Sequence, residues 1–92
     1  MTATATDLKA TVRFLLHLGL CELRLLGLEG GSHEHIAKLA DVLEFLPRLL
    51  ADDREPDFQM VREEFESYQR LNPHHRFDYL GFLDGTHPVY DY

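Results

Sequence analysis

The chain has 92 residues, enough for one domain and too few for two independent cores. Its make-up, 45% hydrophobic and 27% charged, is that of a folded protein rather than a disordered one. Sixteen acidic residues against nine basic ones give a formal charge of −7, which argues against a protein that binds a nucleic-acid backbone, and the single Cys21 leaves no partner for an intrachain disulfide or a paired-cysteine metal site.

The N-terminus, Met1 to Asp7, lacks the basic start and apolar run of a signal peptide. Thr2 to Thr6 form a small polar lead-in expected to fray, with Thr6 or Asp7 as cap of the first helix. That helix is predicted to run to about Leu26. Val12, Leu16, Gly19, Leu23 and Leu26 alternate in steps of four and three, the spacing of a helical core seam. Leu15, Leu18, Leu20 and Leu25 fall outside the seam, so the helix is apolar on more than one side and must be covered on most of them. Gly19 costs about 1 kcal/mol of helix propensity relative to Ala, tolerable where another backbone comes close. The surplus predicts a homodimer built on Leu15, Leu18, Gly19 and Leu25. The stretch from Val12 to Leu28 is too short for a bilayer span and carries Arg13, His17, Glu22 and Arg24, so no membrane association is expected and the setting reads as cytoplasmic.

Gly27, Gly30 and Gly31 are expected to end the first helix, and Ser32 to cap the second. The second helix has one apolar stripe, Ile36, Leu39, Leu43, Leu46 and Leu50, with Lys38, Asp41, Glu44 and Arg48 elsewhere. Pro47 should kink it or end it one turn early, because proline lacks the N–H and its ring meets the preceding turn. Asp52 to Pro56 read as a charged turn, and a third helix is predicted from about Pro56 to Leu71. Its inner seam is Phe58, Val61, Phe65 and Tyr68; Arg62, Glu63, Glu64, Glu66 and Arg70 form its wet side. Asn72 and Pro73 can stop that helix and start a short fourth, His74 to about Leu83, with Phe77 and Leu80 inward. Residues 85–92 read as an extended aromatic and acidic tail. With no hairpin signal, the chain is expected to be all-α: a small antiparallel bundle of three main helices and a short fourth, in a single domain over 1–92.

Histidine is the most frequent candidate for chemistry. His33 and His35 open the second helix; His74, His75 and Asp78 sit at one-turn spacings and form an alternative metal set. No cysteine-pair or zinc-protease signature is present, and no cofactor motif either; the Gly-rich Gly27 to Ser32 lacks the lysine of a phosphate loop. Neither Ser32 nor Ser67 has a readable base partner, so no catalytic residue is assigned.

The run Arg70-Leu-Asn-Pro-His-His75 resembles the Arg-x4–6-His signature of the HEPN ribonucleases, which are dimeric helical bundles. The resemblance spans six residues. It implies an alternative function, a metal-independent ribonuclease in which Arg70 steadies the scissile phosphate and His75 assists proton transfer.

The leading expectation is a non-enzymatic interaction protein. The acidic third helix (Glu63, Glu64, Glu66) and the tail region (Asp84, Tyr90, Asp91, Tyr92) offer carboxylates and tyrosines to a more basic protein partner. Many immunity proteins and antitoxins are small acidic helical proteins of this class, which suggests by analogy that the partner is inhibited.

Overall fold

A computed structural model of the protein describes residues 8–51 and 57–87. The lead-in up to Asp7, the turn Asp52 to Pro56, and Tyr90, Asp91 and Tyr92 of the tail lie outside the described residues. The described residues form an all-α bundle: α1 (Leu8–Leu28), α2 (His33–Ala51), α3 (Phe58–Leu71) and a one-turn α4 (Tyr79–Leu83). None of these helices is long and apolar enough to cross a membrane. Each helix neighbours the next, and α4 closes the ring by returning to α1. Helices α1 and α3 therefore lie on a diagonal.

Local chemistry explains most boundaries. Helix α1 runs past Gly27 to Leu28, and the chain then turns at Gly30, whose φ of 69° is the left-handed conformation glycine adopts without strain. The Gly31 N–H then donates to the Leu26 carbonyl at 2.7 Å, which satisfies one of the orphan acceptors of the last turn. Ser32 caps α2, its hydroxyl accepting from the Glu34 N–H at 3.1 Å. Helix α3 begins two residues later than expected, because Asp57 is its cap and accepts from the Gln59 and Met60 N–H groups.

Four expectations are corrected. Of the two outcomes expected at Pro47, the early end does not occur; the helix continues one turn to Ala51. Pro47 itself faces solvent while Leu46 beside it is fully buried and Leu49 and Leu50 pack on the core, so burial outweighs one lost hydrogen bond. The fourth helix does not start at His74. Asn72 caps the end of α3, and its side-chain oxygen accepts from the His74 N–H at 3.0 Å, which turns the chain into a loop as far as Asp78. Asp78, not Asn72, caps α4, accepting from Gly81 N–H at 3.0 Å. Phe58, expected inside α3, is 41% exposed.

The fourth correction concerns α1. Its buried line is Val12, Leu15, Gly19 and Glu22, with Leu26 half-buried behind it, rather than the line through Leu16 and Leu23. The two lines share Val12, Gly19 and Leu26 and differ by a rotation of about 40° around the helix axis. Leu15 is fully buried in the core of its own chain. Gly19 does permit a close approach, but of α2: a methyl group there would collide with the Leu43 side chain. Leu18 and Leu25 are half-buried on the side of α1 they share with Phe14, whose ring meets Phe82 of α4 edge-on at 5.1 Å. Of the four residues expected to form a dimer face, Leu15 and Gly19 are buried within the bundle and Leu18 packs partly on its core, while Leu25 is half-buried outside that core. The core is completed by Leu39, Val42, Leu43 and Leu46 of α2, Val61, Phe65 and Tyr68 of α3, and Tyr79 and Leu83 of α4.

Candidate functional site

The diagonal between α1 and α3 is spanned by polar chemistry. Glu22 is fully buried near the middle of an otherwise apolar line. Its two carboxyl oxygens accept from two phenols, the Tyr68 hydroxyl on one and the Tyr79 hydroxyl, at 2.5 Å, on the other. The Asn72 amide donates in turn to the Tyr68 oxygen at 3.1 Å. Helices α1, α3 and α4 and the loop after α3 thus meet at one buried chain of hydrogen bonds. Aromatic rings seal it: Tyr79 stacks on Phe65 at 4.7 Å and meets Phe77 edge-on at 6.3 Å. Burial first, and then the hydrogen bond to Glu22, push both phenols well above the ordinary tyrosine pKa.

Asn72 links this corner to the surface. It is almost fully buried, and its backbone carbonyl accepts from the His75 N–H at 3.1 Å and faces the His75 ring nitrogen Nδ1 at 3.0 Å. It forms the floor of an open cleft of about 520 Å³ lined also by Leu26, Glu29, His35, His74 and Arg76. Arg76 is ion-paired with Glu29 there. The cleft therefore offers two imidazoles and an already neutralised guanidinium. It holds no nucleophile for them to activate. Among the described residues no three histidine, cysteine or carboxylate side chains gather as a metal site. The alternative set His74, His75 and Asp78 is accordingly not assembled. His75 is turned to Asn72, and Asp78 caps α4 and faces the His87 ring at 3.1 Å.

Arg70 and His75 are likewise engaged separately. Arg70, near the end of α3, is exposed and ion-paired with Glu66 at 2.7 Å. His75 sits in the loop, not on a fourth helix, because Asn72 diverts the chain.

The outer face of α3 is the second candidate. Met60, Glu64, Ser67 and Leu71 succeed each other at helical spacing on the flank of α3, about a quarter turn from the core line Val61, Phe65 and Tyr68, with Glu63 beside them. Met60 is 45% and Leu71 39% exposed. Glu63 has a hydrogen bond from Gln59 at 3.2 Å, and Glu64 a long ion pair with Lys38 at 3.7 Å. Glu66 and Asp84 differ from these two. Arg62 donates to both oxygens of Asp84, at 3.0 and 2.9 Å, and to Glu66 at 2.9 Å, which ties α3 to the end of α4. The hydrogen bonds and charge of Arg62 hold the Asp84 carboxyl below its ordinary pKa. Of the described carboxylates expected to meet a partner, Glu63 is exposed without an ion pair, and Glu64 is half-buried with only the long pair to Lys38.

Sequence reasoning missed the buried corner. Glu22 reads as one more charge on a leucine-rich helix, and Tyr79 is not among the residues expected inward on the fourth helix; both are fully buried. The available signal was spacing, since Glu22 continues Leu15 and Gly19 by steps of four and three. No protein-family model matches the chain, and neither a curated protein nor a solved structure is similar to it.

Proposed function

We propose that the protein acts by occupying a more basic protein partner, as immunity proteins and antitoxins do, and not by turning over a substrate. The supporting observation is the outer face of α3, where exposed Met60 and Leu71 flank Glu63 and Glu64. Apolar contact area supplies affinity, and adjacent carboxylates supply steering and choice of partner. The polar groups that resemble catalytic chemistry are engaged elsewhere: Glu22 with two tyrosines, Arg70 with Glu66, His75 with Asn72. A cytoplasmic setting belongs to the same proposal, since Cys21 is an exposed free thiol of the kind a reducing compartment preserves.

The test is capture from a lysate of the source cells. The wild-type chain should retain a basic protein in equimolar amount, less well as salt is raised. Glu63→Lys with Glu64→Lys should lose it, and the purified captured protein should lose its own activity when the wild-type chain is added. Unchanged capture by the reversed variant sinks this face. Cleavage of single-stranded RNA by the purified chain without metal, abolished by His75→Ala, would replace the reading with the ribonuclease one.

A further inference from the structure

The apolar surplus of α1 divides between two sides. Leu16, Leu20 and Leu23 line an open groove of about 400 Å³ against Ala40, Leu43 and Pro47 of α2. Ala10, Phe14 and His17 follow one another by steps of four and three on the side turned away from Val12, Leu15 and Gly19. Ala10 is 5% and Phe14 8% exposed. The Phe82 ring of α4 supplies part of the cover on Phe14. Ala10 is different: among the described residues it is the buried apolar side chain that does not join the continuous core. A methyl group on the outward side of a first helical turn meets water unless a further piece of chain lies over it.

The chain leaves the described residues beside this face. The Thr86 and His87 N–H groups both donate to the Gly81 carbonyl, at 2.8 and 3.3 Å, which folds His87 back over α4. Gly81 provides the space, since a methyl there would collide with the His87 ring and the Asp78 carboxylate. The His87 ring then lies 5.1 Å from Phe82, and Phe82 lies 5.1 Å from Phe14. The charged side chains that α1 keeps outside the core are Lys9, Arg13 and Arg24, all basic; its one carboxylate, Glu22, is buried.

We infer that residues 88–92 of the same chain cover this face as an intramolecular strap, with Val89 and Tyr90 over Ala10 and Phe14 and Asp91 towards Arg13. Five residues span about 17 Å when extended, and Ala10 stands only about 6 Å along the helix axis from Phe14. Pro88 fixes φ and has no N–H, which suits an extended course where the strap begins. Val89 and Tyr90 supply apolar area, and Asp91 brings the negative charge that the outer side of α1 lacks. The other segment within reach, Thr2 to Asp7, offers only alanine and threonine methyls. Helices α1 and α3 lie on a diagonal, so the strap and the partner face of α3 stand or fall independently.

Nuclear magnetic resonance of the full chain tests it. The Tyr90 ring and Val89 methyl protons should show nuclear Overhauser contacts to the Ala10 methyl and the Phe14 ring. Tyr90→Ser should speed amide exchange in the first half of α1 roughly tenfold, while the amides of α2 keep their rates. Asp91→Lys should speed it less, and adding Arg13→Glu to Asp91→Lys should slow it again. Contacts from Ala10 to Thr2–Thr6 in place of Tyr90 overturn the proposal. So do contacts from Ala10 to a second chain in a mixed isotope-labelled sample, and so does a Tyr90→Ser chain with wild-type exchange in α1. A charge swap that leaves the exchange fast overturns the pairing of Asp91 with Arg13.

Discussion

Helix α3 places acidic chemistry on two sides, and opposite rules govern them. Inward, Tyr68 reaches Glu22, a carboxylate with no exposure whose oxygens are both occupied. Outward, Glu63 stands in water and Glu64 is half-buried, each with a weak partner. A buried carboxylate is tolerable only when its lone pairs are met, so Glu22 fixes the relative position of three helices. A solvated one contributes little to stability and is free to be recognised by something else. The inner site is architecture; the outer one is available for function.

Glu22→Ala should break this contrast most severely. It leaves two buried phenols without an acceptor beside a new cavity, and we expect a loss of about 3–5 kcal/mol in urea denaturation. The triple variant Glu22→Leu, Tyr68→Phe and Tyr79→Phe should recover much of that loss, because no buried polar group is then left unpaired. A triple variant as unstable as Glu22→Ala would show that shape, not polar satisfaction, sets the cost.

Gly19→Ala comes next. The added methyl meets Leu43, and overpacking of this kind costs about 1–3 kcal/mol, readable as a lower urea midpoint. Unchanged stability would mean that α2 moves away from α1 freely.

The two phenols give the inner site an alkaline signature. Their folded-state pKa values lie above the unfolded one, which is about 10. Their contribution is therefore fully present below pH ~10 and lost as pH rises towards the folded values, since the unfolded chain releases protons that the folded chain retains. Tyr68→Phe and Tyr79→Phe should each make this alkaline decline shallower, as followed by thermal unfolding between neutral pH and pH ~11. An unaltered slope would place the titration elsewhere.

The surface changes should be smallest. Asp84 has a lowered folded pKa, so its contribution is present above the ordinary carboxylate range and fades as pH falls through the folded value, below about pH 4. Asp84→Asn should remove that small part of the acid transition while leaving neutral-pH stability nearly unaltered. Glu63→Lys with Glu64→Lys should not move the urea midpoint at all. A marked shift would show that the outer face of α3 supports the fold after all.

How much was legible in the residues differs from helix to helix. In α2 and α3 one stripe is apolar and the rest polar, so the inward side follows from spacing, and Leu39, Leu43, Leu46, Val61, Phe65 and Tyr68 are buried as that spacing requires. In α1 leucine recurs on nearly every side, and two lines that share Val12, Gly19 and Leu26 satisfy the same period. Composition alone cannot choose between them.

The sequence by itself determined the helical class, the three long helices, the Ser32 cap and the turn through Gly30 and Gly31, because propensity, periodicity and capping act within a few residues of the chain. Only the tertiary structure decided which line of α1 turns inward. The Glu22 line is unfavourable in isolation and becomes possible when Tyr68 and Tyr79, 46 and 57 residues away, bring hydroxyls to its two oxygens. The same rotation carries Leu16, Leu20 and Leu23 to the groove beside α2. Partners that distant do not appear in any local pattern, which is why the rotation of α1, the burial of Tyr79 and the position of the apolar surplus were settled by packing alone.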